Sequence, residues 1–193
     1  MSEFVSHKCK QAWFNLYNIR QIRSFIDNDT CKILVHALVI SHLDYANALL
    51  YGIKKKDLRK LQTVQNSAAK LILRRGKYDS ASQAMKELHW LPVEQRIKHK
   101  ILSYVHKCLA GDAPVYLQNL LTRWSNEHFT RSTTAHTLAV PRYNGIGLKS
   151  FSHAGPTLWN ALPKELRDMP NYNSFKKCLK THLFREAYNL SLS

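Results

Sequence analysis

The stretch from His36 to Arg75 constrains the fold most, because it joins an apolar segment to an amphipathic, basic one. Apolar residues fill nearly every face from Ile33 to Leu50, which is the pattern of a helix buried on most sides. Gly52 predicts a break, since glycine commonly ends helices. From about Asp57 to Arg75, apolar residues recur at steps of three and four, which predicts a second helix. The stretch therefore predicts a core helix followed by an amphipathic helix.

The second helix has one apolar face and one strongly basic face. Residues 54–77 contain nine Lys and Arg against one acid, Asp57. The like charges on such a face repel one another unless water solvates them or an anion neutralises them. A solvated surface without a ligand is one interpretation, and the other is a surface that binds the phosphate backbone of RNA or DNA. The predicted nucleic-acid-binding residues are Lys54, Lys55, Arg59, Lys60, Lys70, Arg74, Arg75 and Lys77.

The charge of the whole chain supports the second interpretation. The formal net charge is +16, from 29 Lys and Arg against 13 Asp and Glu. This excess attracts polyanions, nucleic acid first and anionic membranes second. Residues 33–50 do not predict a membrane span, because a central acid such as Asp44 costs about 2.5–3.5 kcal/mol on insertion scales. The N-terminus lacks the layout of a signal peptide, so we expect an intracellular protein of the nucleus or cytoplasm.

The sequence predicts no metal, no cofactor and no catalytic residue. Its four cysteines lie far apart without a Cys-Xaa-Xaa-Cys pair, which favours reduced thiols over zinc ligands or disulfides. Asp27 and Asp29 could suggest a metal site, but helix capping is the preferred interpretation because no third ligand lies nearby. The sequence contains no Gly-Xaa-Ser-Xaa-Gly, Gly-Lys-Ser or His-Glu-Xaa-Xaa-His motif.

The periodicity elsewhere predicts a mainly α protein, a multi-helix bundle with a small β-hairpin near residues 136–151. In the opening segment, apolar residues that include Trp13 recur at steps of three and four, which predicts an amphipathic helix from about Glu3 to Phe25 with Trp13 on its apolar face. The hairpin is predicted from two short segments, 136–142 and 147–151, that flank the turn signal Asn144-Gly145. Residues 124–134 have little periodicity and predict a loop at a boundary. We therefore divide the chain into a helical region with the basic helix (1–78), a second helical region (79–123), and a hairpin with C-terminal helices (124–193).

An ordered series of motifs runs from about Ala12 to Tyr188. It includes His36-Ala37-Leu38-Val39, Ser41-His42-Leu43-Asp44-Tyr45, Glu87-Leu88-His89-Trp90-Leu91-Pro92-Val93-Glu94-Gln95-Arg96 and Leu158-Trp159-Asn160-Ala161-Leu162-Pro163. This series resembles the region that follows the polymerase core in jockey-like non-LTR (LINE-type) retrotransposon reverse transcriptases. The resemblance implies that residues 1–78 are thumb-like, a region that holds template and product duplex in polymerases.

The resemblance does not extend to the catalytic centre of that family. The family's polymerase motif contains two adjacent aspartates, and no Asp-Asp pair occurs in this sequence. Two-metal nucleotidyl transfer needs closely spaced carboxylates. We therefore expect a nucleic-acid-binding C-terminal fragment of a retrotransposon RNA-directed DNA polymerase that is not an enzyme on its own. The alternative is a non-catalytic protein-interaction or structural helical domain, such as a degenerate remnant, that binds a protein partner or itself.

Overall fold

The computed structural model describes residues 1–123 and 137–190, which are mainly helical, as the sequence predicts. A π-helical segment spans His36–Ile40, and 3₁₀ helices span Asn47–Leu50 and Gly145–Lys149. The α-helices of the described residues are α1 (Ser2–Gln21), α2 (Asn28–Val35), α3 (Ser41–Asp44), α4 (Lys55–Ile72), α5 (Ala81–Glu87), α6 (Val93–Ala110), α7 (Val115–Gln118), α8 (Phe151–Asn160), α9 (Lys164–Arg167) and α10 (Tyr172–Tyr188).

The chain divides into two compact units. The first comprises Met1–Arg96 together with the C-terminal residues from Phe184, and the second comprises Ile97–Leu183. The division into three regions at residues 78 and 123 stays a prediction. Within residues 1–123 and 137–190, no helix combines the length and the apolar character that crossing a membrane requires.

The first unit is built on α1 and α4, which pack side by side. The Ser2 hydroxyl donates to Asp57 at the start of α4, and Arg23, just after α1, donates to carbonyls at the end of α4. The two helices therefore run parallel. Of the apolar stripe predicted for α4, Leu58 and Leu71 are half-buried. The buried residues of the two apolar faces include Val5, Ala12, Leu16, Ile19, Leu61, Val64, Ala68 and Ile72.

Arg23 joins the two helices where they end. Its side chain is buried, with 7 % of its surface exposed. Nε donates to the Leu71 carbonyl at 2.9 Å, and the two terminal nitrogens donate to the carbonyls of Ile72 and Ile26, each at 2.8 Å. Carbonyls in the last turn of a helix lack helical donors. Arg23 therefore supplies donors to the end of α4 and fixes the turn that follows α1.

The prediction of one continuous core helix from Ile33 to Leu50 is wrong. The helix changes to π-helical hydrogen bonding after Val35, and α3 ends at Asp44. Lys8, buried in α1, donates to the Tyr45 carbonyl, and Ala46 adopts a positive φ of 51°. The Tyr45 carbonyl thus accepts a hydrogen bond from a side chain of another helix. A residue with a left-handed backbone, such as Ala46, ends a right-handed helix.

The second unit has its own apolar core. Trp159 of α8 and Phe175 of α10 are almost completely buried, and their ring centroids lie 5.7 Å apart. Gly155 allows α8 to approach α6 closely, because a Cβ at this position would lie 3.0 Å from Cγ2 of Val105. Buried residues of this core also include Ile101, Leu102, Leu138, Leu162, Leu166 and Leu179.

The predicted β-hairpin is absent from residues 137–151, the part of that segment that the structure describes. Gly145 has a positive φ of 59°, but the chain then winds into the 3₁₀ helix Gly145–Lys149. The amide of Asn160 accepts from the Leu138 N–H at 2.9 Å and donates to the Leu138 carbonyl at 2.8 Å. Leu138 also forms an isolated bridge with Arg123. Backbone groups that would pair across a hairpin are therefore bonded elsewhere. The predicted loop 124–134 lies outside the described residues.

Candidate nucleic-acid interface

The start of α4 carries three consecutive exposed lysines, Lys54, Lys55 and Lys56. Lys54 is the N-cap residue, and its side chain makes no capping hydrogen bond. The first backbone N–H groups of a helix lack helical acceptors, and the helix dipole makes this end positive. Three ammonium groups are thus placed where the helix already favours an anion. Sequence reasoning omitted Lys56, although it belongs to the same run.

Asp57 is the nearby acid, and it is used inside the protein. It is buried, and Oδ1 accepts from the Lys60 Nζ at 3.0 Å and from the Ser2 hydroxyl at 3.1 Å. The hydrogen bond from Lys60, opposed by partial desolvation and aided by Ser2, holds the pKa of Asp57 below its usual value. The Lys60 Nζ also lies 3.5 Å from the Ser6 hydroxyl of α1. Lys60 is therefore engaged with Asp57 and α1.

Arg59 lies on the first full turn of α4 and is exposed. Within residues 1–123 and 137–190, its guanidinium group has no hydrogen bond or ion pair, and neither does the ammonium group of Lys55. We call Lys54, Lys55, Lys56 and Arg59 the N-terminal basic cluster. These cations can bind an external anion without breaking a contact of the fold, and phosphate groups of nucleic acids are such anions.

The predicted binding residues at the other end of α4 contact the protein itself. The Lys70 ammonium group donates to the Lys77 carbonyl at 2.9 Å. Arg74, with a positive φ of 51°, donates to the Ile26 carbonyl at 3.1 Å and lies 3.4 Å from the Arg23 carbonyl. These contacts hold the turns that follow α1 and α4.

Arg75 and Lys77 complete the predicted set. Arg75 forms an ion pair of 2.6 Å with Glu87 of α5. Lys77 is exposed, and its Nζ lies 5.7 Å from the ring centroid of Tyr78, a cation–π distance. The structure therefore divides the eight predicted residues. Lys54, Lys55, Arg59 and Lys77 are exposed to solvent. Lys60, Lys70 and Arg75, which are half-buried, and Arg74, which is exposed, contact other parts of the first unit.

An exposed aromatic face of α1 was missed by sequence reasoning. Trp13 was predicted to face inward, yet 39 % of its surface is exposed, with 62 % for Phe14 and 61 % for Tyr17. Steps of three and four place these rings on the same side of α1 as Lys10 and Ser6. Because Ser6 lies beside Lys60 of α4, this side of α1 neighbours the start of α4. The spacing of Lys10, Trp13, Phe14 and Tyr17 was the available signal.

Metal ligands and cysteines are the other groups from which a site could be built. Within the described residues, no group of three or more His, Cys, Asp or Glu side chains is arranged to hold a metal ion. All four cysteines are free thiols, and burial raises the pKa of Cys9, Cys31 and Cys108.

No family model, curated protein or solved structure matches this chain. The resemblance to retrotransposon reverse transcriptases therefore rests on the sequence motifs alone, and it stays a prediction.

Proposed function

We propose that this chain is a nucleic-acid-binding domain that contacts the phosphate backbone of RNA or DNA through the N-terminal basic cluster. The observation that carries the proposal is the run of three exposed lysines at the uncapped start of an 18-residue helix. Cations at this end oppose the helix dipole, at a cost of about 0.3–1 kcal/mol each at low ionic strength. A bound phosphate would offset this repulsion and accept hydrogen bonds from the helix N–H groups.

The aromatic face of α1 favours single-stranded over double-stranded nucleic acid. Unpaired bases stack on aromatic side chains, and each stacked base contributes about 1–3 kcal/mol regardless of its identity. Phe14 and Tyr17 are exposed enough to receive a base, and Lys10 lies one turn before Phe14. Lysines on phosphates and rings on bases together give binding with little sequence preference.

The motif series supports a related proposal about ancestry. We propose that the chain derives from the region after the polymerase core of a jockey-like retrotransposon reverse transcriptase, and that it binds RNA or DNA in the nucleus or cytoplasm without catalysing polymerisation by itself. Purified protein that extended a primer on an RNA template would contradict this proposal.

Contact with a protein is the second candidate function, because other apolar side chains of the first unit are exposed. Ile33 on α2 is 68 % exposed, Tyr45 is 73 % exposed and Leu49 is 67 % exposed. Exposed apolar side chains are common components of interaction surfaces. This candidate predicts self-association or binding to a protein without binding to nucleic acid.

The proposal is tested by fluorescence anisotropy with labelled single-stranded RNA, single-stranded DNA and duplex DNA. The double variant Phe14→Ala and Tyr17→Ala should bind single strands at least fivefold more weakly, because about 1 kcal/mol or more of stacking is lost. Its duplex binding should change little. Tyr116→Ala is the matched control, since Tyr116 on α7 is also an exposed tyrosine, at 69 %.

Two results would contradict the proposal. The first is absence of binding to every nucleic acid near 0.15 M salt, which would favour protein contact. The second is equal weakening in the Tyr116→Ala control, which would show that the effect does not depend on the α1 face.

A further inference from the structure

The second unit contains a cavity of about 280 Å³ that is partly open to solvent. Its walls come from the end of α6, from α8, from α9 and from the residues that follow α9. Much of the lining is apolar and includes Leu109, Leu138, Trp159 and Met169. This volume is near the lower end of the range for sites that hold small molecules, and such sites combine apolar walls with a few polar groups.

Arg167, the last residue of α9, supplies the most informative polar group. Two of its guanidinium nitrogens, Nε and Nη1, are buried and have no hydrogen-bond partner in the part of the chain that the structure describes. A buried donor without an acceptor is unfavourable, and the penalty is larger when the group is charged. The arrangement favours an anion that supplies the missing acceptors.

His106 also lines the cavity and has an unpartnered polar atom. Its Nε2 lies 2.8 Å from the Met169 carbonyl, which can only accept, so Nε2 carries the hydrogen. Nδ1 is buried without a partner among the described residues. The ring is 5 % exposed and stacks on Phe175 with centroids 4.4 Å apart. The packing therefore fixes the ring with one polar atom unpaired.

The charges around the cavity favour an anion. Arg167 contributes a half-buried guanidinium group, whereas the guanidinium group of Arg123 and the carboxylate of Asp168 are both exposed to solvent. Arg123 lies 3.4 Å from the Leu109 carbonyl, at the edge of hydrogen-bond distance, so its charge is not neutralised by that contact. Bonds between a guanidinium group and an oxyanion are among the stronger hydrogen bonds in proteins.

We propose that this cavity binds a small organic anion, a carboxylate or phosphate monoester on an apolar body. The oxyanion contacts Arg167, and the apolar body packs against Trp159 and Leu109. The unpaired Nδ1 of His106 accepts a hydrogen bond from a donor of the ligand. This site lies in the second unit and does not depend on the proposed nucleic-acid surface of α4.

The test is isothermal titration of the full chain with benzoate and with phenyl phosphate. Benzamide and benzyl alcohol serve as neutral probes of similar shape. We expect at least one of the two anions to bind with a Kd below about 1 mM, and at least tenfold more tightly than either neutral probe. The tighter of the two anions identifies the oxyanion that the site prefers.

Variants then locate the binding. Arg167→Gln should weaken binding of the preferred anion at least tenfold, whereas Lys164→Gln should leave it unchanged. Lys164 begins the same short helix and is exposed, so both variants remove one positive charge from α9. Arg167→Gln removes a half-buried guanidinium group, of which two nitrogens have no partner among the described residues, and is expected to fold, which a thermal unfolding curve checks.

Three results would overturn the proposal. One is that neither anion binds, which would show that water alone supplies the hydrogen-bond partners that Arg167 and His106 lack. The second is equal affinity for benzoate and benzamide, because the charge would then have no role. The third is equal loss in Lys164→Gln and Arg167→Gln, which would indicate general attraction to a basic protein.

Discussion

The two ends of α4 carry similar numbers of cations and use them differently. At the start, Lys54, Lys55 and Lys56 are exposed and oppose the helix dipole, and the neighbouring acid Asp57 is turned to Lys60 and Ser2. At the end, Arg74 and the buried Arg23 donate to backbone carbonyls. Local charge density alone therefore does not identify a binding surface. The informative property is whether each cation already has a partner within the fold.

The largest effect that this comparison predicts is on stability, at the end of α4. Arg23→Met would remove the hydrogen bonds that Arg23 donates to the carbonyls of Leu71, Ile72 and Ile26, of which Ile26 keeps only the contact from Arg74. Removing a buried, charged, hydrogen-bonded partner should lower the free energy of unfolding by about 3 kcal/mol. Chemical denaturation measures this change. Arg20→Met, at an exposed position of α1, is the control and should change stability by less than about 0.5 kcal/mol. Equal effects would contradict the assigned role of Arg23.

A pH-dependent effect is expected at the start of α4. The pKa of Asp57 is lowered, chiefly by the hydrogen bond from Lys60. Its contribution to stability is therefore complete above the unfolded carboxyl pKa of about 3.9, and it is lost as the pH falls through the folded pKa. Asp57→Asn should lower Tm near neutral pH, and the difference from wild type should close in acid. A Tm difference that stays constant down to the acid limit would contradict this explanation.

The smallest effect is expected for the ion pair of Arg75 with Glu87. The side chains are 26 % and 51 % exposed, so water screens the attraction despite the short distance of 2.6 Å. Arg75→Gln should reduce the free energy of unfolding by about 0.2–1 kcal/mol, and less at high salt. A loss of several kcal/mol would show that this contact is as important to the fold as those of Arg23.

Helices whose apolar residues recur at helical spacing were predictable from the sequence. The apolar stripe of α4 was predicted because Leu61, Val64 and Ala68 recur at helical spacing, and all three are buried. The hairpin prediction failed because its turn signal is local, whereas the partner of Leu138 is the side chain of Asn160, 22 residues later. The turn propensity of a short segment carries no information about a competing hydrogen bond to a residue far along the chain.

The candidate site was also predictable only in part. The sequence indicated a basic face on α4, and Lys54, Lys55 and Arg59 are exposed. It did not indicate that Lys70 and Arg74 contact carbonyls, since those contacts require the fold that brings the turn after α1 beside the end of α4. Trp13 was assigned to the core because hydrophobicity was read without the geometry of the neighbouring helices.

The most direct test of the central claim compares two triple variants of α4 in nucleic-acid binding across a salt series. Lys54→Gln, Lys55→Gln and Arg59→Gln remove three cations from its start. Lys70→Gln, Arg74→Gln and Arg75→Gln remove three from its end. The start variant should reduce the slope of log affinity against log salt by about 2 on single strands, since each phosphate contact contributes about 0.7. The end variant should keep the wild-type slope and show a lower Tm. Equal slope changes in both variants, or no change in the start variant, would contradict the claim.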